Sequence, residues 1–112
     1  MDFNEYQKKA LETDHSVKSD VVSAQFFAIL LGFGGEVGEV LEKFKKIYWH
    51  KDGKWDDEDK KLITKELGDI LWYVSSLSSH LGVPLDEIAK GNIEKLESRV
   101  KRGTHLGNGD ER

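Results

Sequence analysis

The chain of 112 residues is predicted to fold as an all-α bundle of about four helices. It contains a single proline, and no segment shows the sustained apolar and polar alternation of a half-buried β-strand. Its apolar residues recur instead at intervals of three and four, the period of an amphipathic helix. The length fits one domain over residues 1–112, and the glycine-rich, polar composition from about residue 103 predicts a flexible tail.

The helix bounds follow from these patterns and from local start and stop signals. The first two helices are predicted over about residues 2–13 and 21–48, joined by a polar link. The Asp52-Gly53 turn and the acidic run 56–59 precede a third helix that reaches about Leu81. Gly82 is a candidate C-cap, and Pro84 fits the first turn of a fourth helix that ends near residue 100.

Three glycines interrupt the second predicted helix, at positions 32, 34 and 35. Each interior glycine costs about 1 kcal/mol relative to alanine. The cluster therefore indicates close helix packing, a kink or a break before the residues that follow, and the sequence leaves these three possibilities open.

Composition excludes several classes of function. A formal net charge of −4 argues against a dedicated nucleic-acid binder, which needs clustered Lys and Arg. The absence of cysteine rules out disulfides and thiolate sites, and no secretory signal is recognised, so we expect a cytoplasmic protein. The longest uncharged stretch, residues 21–35, is too short and too polar for a membrane span and is interpreted as core or subunit interface.

Two acidic steps carry the strongest functional signal. Glu36 and Glu39 lie three residues apart in the second predicted helix, and Glu66 and Asp69 lie three apart in the third. Residues at this spacing project from nearly the same helix face, so two adjacent antiparallel helices would bring four carboxylates together. Such a cluster is unfavourable without a cation, and oxygen ligands alone suit Mg²⁺ or Mn²⁺.

Other interpretations of these residues were weighed. A single Glu-x-x-Glu step usually lies on a solvated helix face, whereas both steps here are set among apolar residues. A di-iron carboxylate bundle requires Glu-x-x-His steps, and neither step has histidine at the matching place. The glycine inside each step, Gly38 and Gly68, would leave room for a helix, a metal or a phosphate. The four histidines show no paired spacing and are predicted to lie on the surface or in loops: His15, His50, His80 and His105.

These residues resemble the MazG-type nucleotide pyrophosphohydrolases, an all-helical group that also includes dimeric dUTPases, dCTP pyrophosphatases and phosphoribosyl-ATP pyrophosphatases. The resemblance lies in the two acidic steps, separated by residues 40–65, and in Asn92, Lys95 and Arg99 on the last helix. It extends from about residue 6 to residue 102. The four-carboxylate pattern is specific for the superfamily and weak for the substrate.

The resemblance implies hydrolysis of a nucleoside triphosphate between its α and β phosphates, giving a nucleoside monophosphate and pyrophosphate. It further implies that Glu36, Glu39, Glu66 and Asp69 hold Mg²⁺, and Glu39 is our candidate for the base that accepts the proton of the attacking water. The expected cellular role is house-cleaning or control of nucleotide pools.

Cations and aromatic rings are needed to hold the rest of such a substrate. The candidate phosphate-binding residues, each of which is alternatively a solvated surface cation, are Lys43, Lys46, Lys95, Arg99 and Arg102. Candidates for base recognition are Tyr73, one turn after the second acidic step, with Trp49 and Trp55, although large aromatics at helical spacing more often belong to a core. Asn92 is a candidate for the base edge or the sugar, and a capping or surface role fits it equally.

Four helices in a short chain do not cover two broad apolar stripes well, so the sequence predicts a homodimer or homotetramer. A phosphoribosyl-ATP pyrophosphatase and a non-catalytic helical oligomer with a structural cation stay as alternatives. The glycine-rich tail, residues 103–110, fits either a frayed terminus or a loop that folds over a phosphate.

Overall fold

The computed structural model describes residues 1–15, 23–103, 107 and 109–110. Over these residues the chain is all-α, as predicted from the sequence. The four helices are α1 (Phe3–Leu11), α2 (Ala24–His50), α3 (Asp57–His80) and α4 (Leu85–Arg102). Their bounds lie within two or three residues of the predicted ones, and most of the predicted link before α2 lies outside the described residues.

The helix ends are set by short polar side chains. Asp2 and Ser23 cap α1 and α2, accepting hydrogen bonds from the backbone N–H groups of Glu5 and Phe26. The predicted start of α3 is a capping box, in which Asp56 and Asp59 each accept a hydrogen bond from the other's backbone N–H. These caps pair backbone donors that would otherwise have no partner within the helix.

The end of α3 and the start of α4 form a tight connection. Leu81 is the C-cap of α3, and Gly82 follows it in the left-handed conformation with φ of 69°, which favours glycine. Pro84 is the N-cap of α4 and not its first helical residue, one position earlier than the sequence pattern indicated.

Gln7 of α1 joins three helices at this connection. Its side-chain amide donates hydrogen bonds to Ser79 Oγ at 3.1 Å and to Val83 O at 3.3 Å, and its Oε1 accepts one from the N–H of Leu85 at 2.9 Å. Ser78, which also lies within reach of this amide, is almost fully buried beside it. The amide oxygen therefore pairs the Leu85 N–H, and the amide nitrogen adds a second donor to Val83 O, which also accepts from Ser78 Oγ.

The inner face of α3 is more polar than the sequence pattern predicts. Ser75, Ser76 and Ser78 are all buried, while the apolar Leu67 of the same helix is half exposed. Small serine side chains let neighbouring helices approach closely along this face. His80, predicted to lie on a surface or in a loop, is instead buried at the end of α3 with its ring edge-on to Phe26 of α2, 4.8 Å between ring centroids.

The glycine cluster does not break α2, because α2 is one continuous helix from residue 24 to residue 50. Close packing is present at one of the three positions. A Cβ atom on Gly32 would overlap the ring of Tyr73 on α3, whereas a Cβ atom on Gly34 or Gly35 would meet no described atom within 4 Å. Gly32 thus seats Tyr73 against the α2 backbone.

α2 packs against α3 and, over the described part of the chain, against no other helix, while α1, α3 and α4 contact one another. Its outer face carries exposed apolar residues at intervals of four, ten and seven: Phe27, Leu31, Leu41 and Tyr48. By length and composition alone, α2 also meets the minimum for a membrane-spanning helix. The same helix carries the first acidic step and contacts α3, as expected for a helix of a bundle.

Candidate metal centre

The connection between α2 and α3 sets which residues of the two helices face each other. Gly53 N–H donates to Ile47 O at 3.1 Å, and both Asp52 and Gly53 have positive φ, 54° and 73°. Lys51 Nζ then lies 2.8 Å from Asp59 Oδ2 and 3.1 Å from Asp56 Oδ2. These contacts fix the antiparallel register of α2 and α3.

In this register three of the four predicted carboxylates converge. Glu36 and Glu39 of α2 and Glu66 of α3 each place one carboxylate oxygen so that the three oxygens lie within 4.8 Å of one another. Glu36 and Glu66 are half-buried and Glu39 is exposed. An arrangement of oxygen ligands open on one side can hold a divalent cation that keeps some of its water.

Glu36 and Glu66 each also have one carboxylate oxygen that is buried without a hydrogen-bond donor. Glu36 Oε2 and Glu66 Oε2 are both inaccessible to solvent and have no partner among the described residues. Buried carboxylate oxygens are normally paired, so unpaired ones at the centre of a cluster mark a place for a positive ligand.

The cluster also perturbs the acidity of its members. Burial, a hydrogen bond with Glu66 and the charge of Glu39 raise the pKa of Glu36 to about 7. Burial by itself would raise the pKa of Glu66. Its hydrogen bonds with Glu39 and Glu36 and the charge of Lys43 outweigh burial, so the pKa of Glu66 is lowered. Near neutral pH the cluster therefore holds a proton on Glu36 that a bound cation would displace.

Asp69 is not one of the three residues whose carboxylate oxygens lie within 4.8 Å of one another. Its charge nevertheless acts on the site, since it contributes to the raised pKa of Glu36 and, after burial, to the raised pKa of Tyr6 on α1. Asp69 and Glu36 line one pocket of about 300 Å³ together with the rings of Trp72 and Tyr73. We call it the aromatic pocket.

A second pocket adjoins the carboxylates on the other side. It has a volume of about 320 Å³, and its floor is formed by the buried Ile47 and Ile63 with Leu62. Its rim consists of Lys43, Lys46, His50, Lys51 and Asp59. We call it the lysine pocket, and Lys43 Nζ connects it to the carboxylates at 3.6 Å from Glu66 Oε1.

The candidate residues of α4 lie elsewhere in the single chain. Asn92 is exposed on α4, a helix that does not contact α2 over the described residues. Lys95 Nζ and the buried Arg99 both contact Asp110, at 3.2 Å and 3.3 Å from its Oδ1, and Arg99 also donates to the backbone oxygen of Asp110 at 2.8 Å. These cations lower the pKa of Asp110. Part of the predicted tail thus lies against α4, while residues 104–106 lie outside the described residues.

Other sequence candidates are placed as follows. Trp49, at the end of α2, is 70% exposed and contacts Tyr48 edge-on, and Trp55 contacts Phe44 in the same way. Arg102 donates to Ser98 Oγ within α4. Added Cβ atoms on Gly38 or Gly68 would meet no described atom, so both positions leave open space beside the acidic steps.

Three residues near the site were not among the sequence candidates. Trp72 lines the aromatic pocket, and its indole N–H donates to Thr13 Oγ1 at 3.0 Å, which fixes the ring against the end of α1. Lys51 and His50 line the lysine pocket. The helical spacing of His50 from Lys43 and Lys46, seven and four residues, is a signal that would have placed it on the same face.

The fold and this cluster define an all-α protein whose two longest helices present carboxylates across a shared groove. A model of the MazG nucleotide pyrophosphohydrolase domain matches residues 26–104, which include both acidic steps and all of α3 and α4. The chain belongs to this family. It is also 42% identical over 84 residues to the Gene 37 protein of Mycobacterium phage L5, an alignment that covers 75% of this chain and 74% of the phage protein. No solved structure matches the chain significantly.

Proposed function

We propose that this protein is a divalent-cation-dependent nucleoside triphosphate pyrophosphohydrolase, which cleaves its substrate between the α and β phosphates to give a nucleoside monophosphate and pyrophosphate. The observation that carries the proposal is the convergence of Glu36, Glu39 and Glu66 within 4.8 Å, in a chain of the MazG family. Family membership supports the reaction class, and the geometry supports the place where it occurs.

The donor set fits Mg²⁺, and Mn²⁺ as a substitute. All three ligands offer carboxylate oxygen, which hard cations prefer, and Glu36 and Glu66 each keep one buried, unpaired carboxylate oxygen. Glu36, Glu39 and Glu66 would hold the cation, with Asp69 at the edge of the site. When bound, the cation supplies neutralisation of phosphate oxygens and a water of lowered pKa.

The protein's own groups position the reactants and accept the proton. A water attacks the α-phosphorus, the bond from that phosphorus to the α–β bridging oxygen breaks, and pyrophosphate leaves with the electron pair. Glu39 is the exposed carboxylate of the three and can reach a water in the groove. We therefore assign it the role of the base that accepts the proton of the attacking water. Lys43 lies beside the carboxylates and offsets phosphate charge as it accumulates.

A panel of canonical and modified NTPs and dNTPs with Mg²⁺, together with phosphoribosyl-ATP, tests the assignment. We expect a nucleoside monophosphate and pyrophosphate from at least one nucleotide, and in H₂¹⁸O the label should enter the monophosphate. Nucleoside diphosphate plus orthophosphate would reject cleavage at the α–β bond. Preferred turnover of phosphoribosyl-ATP would identify the enzyme as a phosphoribosyl-ATP pyrophosphatase.

The assay needs a variant that separates catalysis from structure. Glu39→Gln keeps the size of the side chain and removes the charge, so pyrophosphate release should fall while the far-UV spectrum is unchanged. If no nucleotide is hydrolysed by the wild-type protein and Glu39→Gln changes only its association state, the protein is a non-catalytic oligomer.

We further propose that the protein self-associates through the outer face of α2. Leu31 and Leu41 are 74% and 63% exposed, and they lie on a helix about 40 Å long that is covered on one side only. A second copy of the same face is the simplest cover, because it presents the same apolar stripe. In sedimentation experiments the wild type should be a dimer or tetramer and Leu31→Lys should shift it toward a monomer. A monomeric wild type would reject the proposal.

A further inference from the structure

One close contact between α2 and α3 lies next to the carboxylate cluster. The ring of Tyr73 on α3 lies against the α2 backbone at Gly32. Gly32 precedes Glu36 by four residues, and Tyr73 follows Asp69 by four, which is about 6 Å along each helix axis. The contact is therefore about one helical turn away from the acidic step on both helices.

This contact leaves no room for a side chain at position 32. A Cβ atom there would overlap Oη of Tyr73, and it would lie 2.6 Å from Cζ and 2.7 Å from Cε1 of the same ring. Carbon atoms in contact are normally about 3.5–4.0 Å apart. Because the distance between packed helices depends on the side chains at their contact, glycine at this position lets α2 and α3 approach more closely than any other residue would allow.

We infer that Gly32 is a positioning residue for the carboxylate cluster: by leaving room for the ring of Tyr73, it holds α2 and α3 at the separation at which Glu36, Glu39 and Glu66 converge on a cation. This inference rests on the proposed function, since it takes the cluster to be the cation site. Gly32 has no side chain of its own and acts only through Tyr73.

Tyr73 has little freedom to move away from Gly32. Its ring contacts that of Trp72 edge-on, with 5.1 Å between ring centroids, and Trp72 is itself hydrogen-bonded to α1. The open space beside the ring is the aromatic pocket, which Glu36 and Asp69 also line. A side chain at position 32 would therefore either push the ring toward these carboxylates or move α2 away from α3.

The cluster is sensitive to both displacements. Its three carboxylate oxygens come from two helices and lie within 4.8 Å of one another. Oxygen atoms that share one Mg²⁺ must each lie about 2.0–2.1 Å from it, in nearly octahedral geometry. If α2 and α3 separate, the oxygen of Glu66 leaves the position that it shares with the two oxygens of α2, so the affinity for a cation should fall.

Two other glycines of α2 provide matched controls. Gly34 and Gly35 are exposed, and a Cβ atom on either would meet no described atom within 4 Å. Alanine at these positions adds the same methyl group to the same helix, and it favours the helix more than glycine does. Gly34→Ala should therefore have a melting temperature at or above that of the wild type and an unchanged affinity for a cation.

Binding of Mn²⁺ to the folded, metal-free protein, measured by titration calorimetry, tests the inference without relying on turnover. Gly32→Ala should weaken Mn²⁺ binding about tenfold, as expected for a residue that orients metal ligands, while Gly34→Ala stays within about twofold of the wild type. A contact that only stabilised the fold would lower the melting temperature and leave the affinity of the folded protein unchanged. Unchanged affinity in Gly32→Ala, or equal losses in the two variants, would overturn the inference.

A second pair of variants tests whether the effect acts through the ring. Leucine lacks the three atoms of Tyr73 that a Cβ atom on Gly32 would meet. In a Tyr73→Leu background, Gly32→Ala should therefore change Mn²⁺ affinity by no more than about twofold. A loss of about tenfold in that background would overturn the inference, and this comparison also decides the matter if Gly32→Ala alone does not fold.

The outcomes separate this inference from the proposed function. If the wild type binds Mn²⁺ and hydrolyses no nucleotide, the proposed function fails, and the measured affinities still decide the role of Gly32. If the wild type hydrolyses a nucleotide and Gly32→Ala binds Mn²⁺ normally, the reaction stands and the inference is overturned. If the wild type binds no Mn²⁺, the cluster is not a cation site and both are rejected.

Discussion

The junction of α1, α3 and α4 and the groove between α2 and α3 satisfy their polar groups in opposite ways. At the junction Gln7 supplies hydrogen bonds to Ser79, Val83 and Leu85, so buried donors and acceptors are paired within the protein. In the groove, Glu36 and Glu66 each keep a buried oxygen without a partner. The first region stabilises the fold, while the second costs stability and gains from a ligand.

Removing a carboxylate from the groove should have the largest effect on activity. Glu66→Gln takes away one of the three converging oxygens and its charge, so we expect kcat to fall by about 10²–10³-fold with saturating Mg²⁺, comparable to the loss of a transition-state charge contact. Steady-state pyrophosphate release measures it. Glu42→Gln, on the same turn of α2 as Lys43 and outside the cluster, is the control and should retain its activity. Equal losses in the two variants would show that the cluster has no special role.

Breaking the junction should affect stability and spare the chemistry. Gln7→Ala leaves the Leu85 N–H unpaired and removes the amide donor from Ser79 and Val83, which should lower the free energy of unfolding by about 2 kcal/mol. Denaturant unfolding measures this loss, and kcat per folded molecule should change little. Gln25→Ala, on the exposed side of α2, should stay within about 0.5 kcal/mol of the wild type. A large loss of kcat in folded Gln7→Ala would mean that the junction also shapes the site.

The groove should also show a pH dependence that arises from Glu36. The pKa of Glu36 is raised from 4.5 to about 7, so the folded state holds a proton that the unfolded state has released between these pH values. Stability from this group is therefore present below about pH 4.5 and is lost as the pH rises through 7. The lowered pKa of Glu66 acts only below its ordinary range and does not oppose this trend near neutrality.

Thermal unfolding with EDTA at pH 5.5 and pH 8 measures the effect. The melting temperature of the wild type should fall relative to that of Glu36→Gln as the pH rises. Mg²⁺ at 100 times its dissociation constant should restore about 2.7 kcal/mol at pH 8. Parallel pH profiles for the two proteins, or no response to Mg²⁺, would contradict the interpretation of the cluster.

The smallest effect is expected where the tail meets α4. Asp110 is largely exposed, so its ion pairs with Lys95 and Arg99 should contribute no more than about 1 kcal/mol. Asp110→Asn should lower the melting temperature slightly, and the difference should disappear at high salt. A loss as large as that of Gln7→Ala would show that the tail belongs to the structural junction.

The sequence predicted the helices and the acidic steps because both depend on local spacing. The period of three and four placed all four helices, and the pairing of Glu36 with Glu39 on one face followed from helix geometry. The choice of Mg²⁺, the oligomeric state and the substrate stay predictions.

The features that the sequence did not predict depend on contacts between residues that are distant in the chain. Gln7 bonds with residues 71 to 78 positions away, and no local pattern marks a glutamine for such a role. Asp69 is not among the three converging residues, and local spacing alone does not fix which carboxylates of an acidic step reach the neighbouring helix. The buried serines of α3 and His80 were missed because the sequence pattern assigns burial to apolar residues alone.

The length of the turn between α2 and α3 determines how the carboxylates of the two helices align. Surface turns ordinarily tolerate insertions and deletions. Here one extra residue between Lys51 and Asp56 would pull the lysine out of its contacts with Asp56 and Asp59 and let α3 slide or rotate against α2. A shift of one residue, about 1.5 Å along the axis with a rotation of about 100°, would turn Glu66 away from the carboxylates of α2. Changes of length in this exposed segment should therefore disturb the carboxylate cluster as directly as changes to the acidic residues themselves.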